Sequence, residues 1–145
     1  MTWMVQSIAA FFAIYGFSLI LEVPKKYLTF TGLAGGVCWG VYFAVSQSGY
    51  SLIAAAFLCS AAVALLSHIF ARVLKAPVTV FLVAGILPSV PGASIYRCVY
   101  YMIKGDAVLS NYHLVQTIQI AGAMAMAIFI VDSIFRLIQK NPEES

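Results

Sequence analysis

Gly85-Ile86-Leu87-Pro88-Ser89-Val90-Pro91-Gly92-Ala93-Ser94-Ile95-Tyr96-Arg97 is the stretch on which the reading of this chain turns. It lies inside a long apolar run, yet it holds two prolines, two glycines and an arginine. Pro88 and Pro91 have no backbone N–H, so in a helix they leave the carbonyls of Ala84 and Leu87 without their usual donors. In lipid such a break is tolerated only where protein or a wet cavity covers it. Broken helices near the membrane midplane are a feature of secondary transporters. The stretch is therefore a candidate solute site, with Pro88, Ser89, Pro91, Gly92, Ser94, Tyr96 and Arg97 as its candidate binding residues. A proline kink that only shapes packing is the competing reading of the same residues.

The rest of the chain supplies the bilayer context. Its 145 residues are 63% hydrophobic and only 9% charged, with a mean hydropathy of +0.98. An ordinary soluble domain carries about 25% charged residues. So few charges cannot build a water-facing surface, and the expected fold class is an all-α integral membrane protein. The net charge of +3 comes from basic residues that sit singly or in pairs, which suits loop anchoring and argues against nucleic-acid binding. Cys38, Cys59 and Cys98 all lie in apolar runs. Their odd number argues against a disulfide framework, and no Cys/His spacing suits a metal, so neither metal nor cofactor is expected. No basic n-region precedes the first apolar run, which is read as a retained span rather than a signal peptide.

About 20 apolar residues cross the hydrocarbon core as a helix. On that basis residues 1–138 form one transmembrane domain of five spans, at about 2–21, 28–45, 50–70, 77–103 and 113–138, the fourth broken near 88–92; residues 139–145 are a polar tail expected to fray. Pro77 is expected at the first helical position of the fourth span. Gly32, Gly36 and Gly40 are spaced by four, so they share one side of a helix and let another backbone approach. They are expected to serve helix packing within the chain, with a subunit contact as the alternative. Ala56, Ser60 and Ala64 form a second small-residue stripe, and Gly122, Ala123 and Ala127 are expected small contacts in the fifth span. With five spans, Lys25 and Lys26, Arg72 and Lys75, and Arg136 and Lys140 all fall on one side. The excess of basic residues there predicts a cytoplasmic C-terminus and an outside N-terminus.

Arg97 is the one charge well separated from both flanking basic loops. An arginine at a helix centre costs on the order of 2.5–3.5 kcal/mol to insert, so it needs a carboxylate, carbonyls, water or an anionic solute. Its planar fork can hold a carboxylate through two parallel bonds. The second half-helix begins close by, and its free N–H groups and positive dipole end also favour an anion. The alternative is that Arg97 snorkels to the interface beside Tyr96, Tyr100 and Tyr101. Asp132 and His68 are candidate ion-coupling residues. Pairing of Asp132 with Arg136 one turn later, and an interfacial place for His68, are the plainer readings. Nothing supports catalysis: no nucleophile has a base and an orienting partner. No Gly-rich phosphate loop is present either, so energy would come from an ion gradient rather than ATP.

The run from Arg72 to Arg97, with its Pro-x-x-Pro-Gly-x-x-x-Tyr-Arg core, resembles the threonine/serine exporter family. More narrowly, it resembles the small stand-alone subunit that corresponds to the C-terminal half of the fused exporters. Gly16-Phe17, Val23-Pro24, Gly32, Gly35, Trp39-Gly40-Val41-Tyr42 and Gly105-Asp106 extend the resemblance over nearly the whole chain. Ala84 departs from it, where proline or another small residue is expected. The resemblance implies an exporter of the bacterial inner membrane driven by the proton-motive force. It also implies a partner, a larger membrane subunit equivalent to the N-terminal half. Threonine and serine, or succinate for a split pair, are the implied substrate classes, and all carry a carboxylate. It carries over no established solute ligands. A structural or regulatory subunit, with transport chemistry in the larger partner, is the other reading.

Overall fold

The computed structural model describes residues 2–140. Helix α1 covers Thr2–Ile20, α2 Leu28–Gln47, α3 Leu52–Leu74, α4 Val78–Gly85, α5 Gly92–Ile103 and α6 Ala107–Lys140. Short 3-10 turns lie at Lys25–Tyr27 and Leu87–Ser89. α1, α2 with its leading turn, α3 and α6 are each long and apolar enough to cross a bilayer, and α4 and α5 form a pair bent by 54°.

Local chemistry sets the helix ends. After α1 and α3 the chain turns through left-handed residues, Glu22 at φ 56° and Lys75 at φ 51°. In both places an N–H reaches back five residues, Val23 to the Ser18 carbonyl and Ala76 to the Ala71 carbonyl, each at 3.0 Å. This closes the helix end by using carbonyls that would otherwise be bare. Ser51 caps α3 by accepting the Ala54 N–H at 3.2 Å. Gly105, at φ 78°, lets the chain reverse between α5 and α6, and the Asp106 carboxylate caps α6 by accepting the Leu109 N–H at 3.0 Å.

Helix directions fix how many times the chain crosses. Along α3 and α6, Ala56 packs with Ile120 and Met124, and His68 meets Asp132, so these two helices run parallel. The segment between them must therefore return to the starting end, and α4 and α5 together make one crossing rather than a hairpin that doubles back. The half-rods Val78–Ser89, which includes the 3-10 turn, and Gly92–Ile103 are roughly 18 Å each; bent by 54°, they project to about 32 Å, enough for a hydrocarbon core of about 30 Å. The same directions bring Lys25, Lys26, Arg72, Lys75, Arg136 and Lys140 to one end of the bundle.

The helices adjoin in the order α1, α2, α3, α6, α5, with α4 seated against α2 and α3. Small residues make this close approach workable: Ala34, Cys38, Ala55, Ala56, Cys59, Ala84 and Phe81 are fully buried, Phe81 being the one large ring among them. The α1–α2 seam is made by the glycine side of α2. Gly32 faces Phe11, Gly36 faces the Ser7 carbonyl and Gly40 the Ser7 hydroxyl, while a Cβ on Gly35 would run into Ile14. In the same seam the buried Ser18 hydroxyl lies 2.7 Å from the Ile14 carbonyl and 2.8 Å from Thr31 Oγ1, and Thr31 donates to the Leu28 carbonyl at 2.8 Å. Thr31→Val keeps the shape and removes the interhelical bond, which in membranes is worth about 0.6 kcal/mol. The variant is expected to lose about that much in thermal unfolding in detergent. Adding Ser18→Ala is expected to cost almost nothing more, because no unpaired hydroxyl then remains. Additive losses would contradict the shared bond.

Some boundaries and contacts differ from the sequence expectation. α6 begins at Ala107 rather than near 113, because Asp106 caps it there. It continues to Lys140, so Gln139 and Lys140 are helical; residues 141–145 of the expected tail lie outside the described residues. At 34 residues it is about 51 Å long, so it tilts or projects past the bilayer. Pro77 stands one position before α4 with ψ 138°, as its N-cap rather than its first residue. Gly122 is exposed, and a Cβ there would meet nothing within 4 Å, because α6 turns Met124 and Ala127 inward instead. The Leu87 carbonyl is not left bare by Pro91, since the Val90 N–H donates to it at 3.2 Å in the 3-10 turn.

Candidate functional site

The break sits at mid-depth because α4 is only eight residues long. It ends at Gly85, which is wedged between Ala34 of α2 and Val63 of α3. From there the chain passes through the 3-10 turn; Val90 is extended at ψ 132° and Pro91, at ψ 52°, makes a tight turn that redirects the chain. α5 starts at Gly92 without a side-chain cap; the Gly92 N–H is taken by the Val90 carbonyl at 2.7 Å, which leaves the Ala93 and Ser94 amides available to a ligand or to water.

The seven candidate binding residues do not converge. Pro88 and Gly92, with Leu87 and Val90, line a cavity of about 690 Å3 between the break and α1. Its other walls are the alanine side of α1 (Ala9, Ala10, Ala13), Phe17, and the pair of Gln6 and Trp39, whose indole N–H donates to Gln6 Oε1 at 3.3 Å. Ser89 is buried and donates its hydroxyl to the Ile86 carbonyl at 2.8 Å, which ties down the turn. Pro91 is half-buried at the bend. Ser94 faces α6 and donates to Gln116 Oε1 at 3.1 Å. Tyr96 is exposed and stacks on Tyr100 at 6.2 Å, and Lys104 lies over Tyr100 at 5.6 Å. Arg97 is exposed and forms no ion pair among the described residues. It does not line the cavity.

The two candidate ion-coupling residues do meet. His68 Nε2 lies 3.4 Å from Asp132 Oδ1, and Arg136 Nε lies 2.7 Å from Asp132 Oδ2. The His68 ring stacks parallel on Phe135 with centroids 4.3 Å apart. The Arg72 guanidinium lies 5.0 Å from the centre of the same ring. Sequence reasoning missed Gln116, Gln6 and Phe135. The two glutamines carried a usable signal, because an amide in an apolar span needs a partner; Phe135 carried none.

A broken crossing at mid-depth, a cavity at the break and a histidine–carboxylate pair in an otherwise apolar helical bundle define a multi-pass membrane protein of the transporter class. The chain belongs to the Threonine/Serine exporter, ThrE, family, whose sequence pattern matches residues 6–134. No solved structure matches it.

Proposed function

We propose that this chain is one subunit of a two-component secondary exporter of small carboxylate-bearing solutes: threonine and serine, or a succinate-like dicarboxylate. The observation that carries the reading is the broken fourth crossing, whose uncapped α5 N-terminus opens beside a cavity of solute size. Amide N–H groups and the positive end of the helix dipole favour a carboxylate there. The cavity wall is almost wholly apolar, and Arg97 stands apart on the exposed face of α5 with no ion-pair partner among the described residues. A zwitterion or dicarboxylate needs more polar partners than the lone chain supplies. A larger membrane subunit, docking over α5, would supply the missing wall and draw Arg97 into the path. The proton-motive force would drive export. The protein would sit in the bacterial cytoplasmic membrane with its basic end and C-terminus inside and its N-terminus outside.

Cells lacking this chain are expected to accumulate serine, threonine or succinate, and re-expression to restore their release. Unchanged internal pools of all three would overturn the export reading. The apolar cavity lining also favours a second reading, in which this chain is a structural or regulatory subunit and the solute touches only the partner. Crosslinking a solute analogue from a cysteine at Gly92, which lines the cavity and has room for a side chain, separates the two, since the structural reading expects label on the partner alone.

A further inference from the structure

His68 and Asp132 lie on different helices, and the fold brings them to one place. Side-chain exposure is 10% for His68 and 36% for Asp132, so the imidazole is inside the bundle and the carboxylate stands between it and solvent. We propose that His68 and Asp132 form a single proton-exchange site at the α3–α6 interface, in which Asp132 is shared between the imidazole and Arg136. Its use in export rests on the transport reading above; its existence does not.

The surroundings define what such a site can take. From α6 the imidazole faces Asp132, Phe135 and Arg136, and from its own helix Arg72, one turn on. α2 and α4, also packed on α3, carry no charged side chain. Of the titratable groups on α2, Cys38 and Tyr42 cluster around Cys59, about 13 Å of helix rise away from His68. Tyr27, in the turn before α2, packs on Ala71 and Phe81. The site thus holds one carboxylate, two guanidinium groups and one imidazole. A sodium or calcium ion needs several oxygen ligands. Here one carboxylate oxygen already takes the Arg136 N–H, and no group of three His, Cys, Asp or Glu side chains gathers among the described residues. A proton needs only a lone pair, and the imidazole offers one in the physiological range.

The proton balance is simple. Neutral His68 takes one proton from water at the basic end and becomes imidazolium, donating Nε2–H to Asp132 Oδ1; on release the proton returns to water past the half-buried carboxylate. The parallel Phe135 ring fixes the imidazole plane and presents a face that tolerates a cation. In the protonated state Asp132 is held from α3 as well as by Arg136 of its own helix. In the neutral state Arg136 holds it more exclusively. Proton occupancy therefore changes how firmly α3 is tied to α6. α6 also carries Ile120 and Met124, which pack with Ala56 and Ile86 at the edge of the break. A shift of α6 along α3 reaches the break through those contacts.

The chain has two histidines, so nitrogen NMR of the histidine-labelled full chain in lipid reads the site directly. One signal is expected to titrate between about pH 5 and 8 and to vanish in His68→Gln. In Asp132→Asn its midpoint should move by about one pH unit or more, the effect of an ionic neighbour within about 4–6 Å. In Asp132→Glu it should stay near the wild-type value. Sodium chloride replaced by potassium chloride should leave it unmoved. An unmoved midpoint in Asp132→Asn, or a midpoint set by sodium, overturns the proposal. If Asp132→Asn does not yield folded protein, Arg136→Gln is the second arm: it frees Asp132 for His68, and an unchanged midpoint there is equally fatal. The titration involves no solute, so intact titration with no export would remove the transport reading alone.

Discussion

Gly85→Val is expected to lose most of the folded protein from the membrane. Gly85 is the last residue of α4 and is fully enclosed by the two helices that α4 rests on. Even a single Cβ there would lie 2.8 Å from the Ala34 Cβ and 3.1 Å from a Val63 methyl. Ala34 has no exposed surface, and its backbone is held within α2, so it cannot move aside. Gly85→Ala should cost about 1–3 kcal/mol, the usual range for forcing volume into a packed core. Valine adds two methyl groups in the same place and should push α4 off the α2–α3 groove. The measurement is thermal unfolding of the purified chain, together with its level in the membrane. The alanine variant should melt several degrees lower and the valine variant should fail to accumulate. A wild-type melting curve for Gly85→Val would show that α4 does not sit where the structure puts it. Gly92→Ala is the internal control, since a Cβ there meets nothing within 4 Å, and it should be close to neutral.

Arg97→Gln should cut export about 10-fold or more while protein levels hold or rise. The two halves of this expectation have separate causes. An arginine placed within the bilayer opposes insertion by on the order of 2.5–3.5 kcal/mol, so replacing it removes an obstacle to insertion. A charge-assisted hydrogen bond to a carboxylate is worth about 1.5–3 kcal/mol, which corresponds to roughly 10- to 100-fold in affinity. Arg97→Lys keeps the charge and loses the two-pronged geometry, and should fall between. Release of serine, threonine and succinate from loaded cells, normalised to the membrane level of each variant, is the readout. Wild-type release by Arg97→Gln would take Arg97 out of the solute path and favour the snorkelling explanation, in which it reaches the interface beside the Tyr96–Tyr100–Lys104 ladder.

How much of this was legible beforehand varies by residue. The helical, membrane-embedded class followed from apolar runs that no soluble surface could absorb. The interruption at Pro88 and Pro91 was legible because proline removes a donor whatever surrounds it. The i, i+4 pairing of Asp132 with Arg136 was legible for the same kind of reason, since a helix alone places them together. The bond from Ser94 to Gln116 was not, because it depends on α5 folding back along α6 through the Gly105 turn. Nor was the inward turn of the Ser89 hydroxyl, which the geometry of the 3-10 turn sets. The expected convergence of Arg97 with the α5 N-terminus treated two features near in sequence as near in space. They lie more than a turn apart on an amphipathic helix, and they face different sides.

By itself, then, the sequence determined what each segment had to become in lipid: apolar runs must close their own hydrogen bonds as helices, and proline, glycine and basic pairs must mark where those helices stop. Neighbours along the chain settle such matters, because backbone bonding is local. The five-span count had already implied that residues 77–103 make one broken crossing; only the tertiary structure decided that α3 and α6 lie face to face, that α4 rests on α2 and α3 while α5 rests on α6, and that His68 reaches Asp132. Those facts depend on which helix faces lie against each other. In an apolar medium that choice is made by close packing of small residues such as Gly35, Ala34 and Gly85, and composition alone does not encode their complementary shapes.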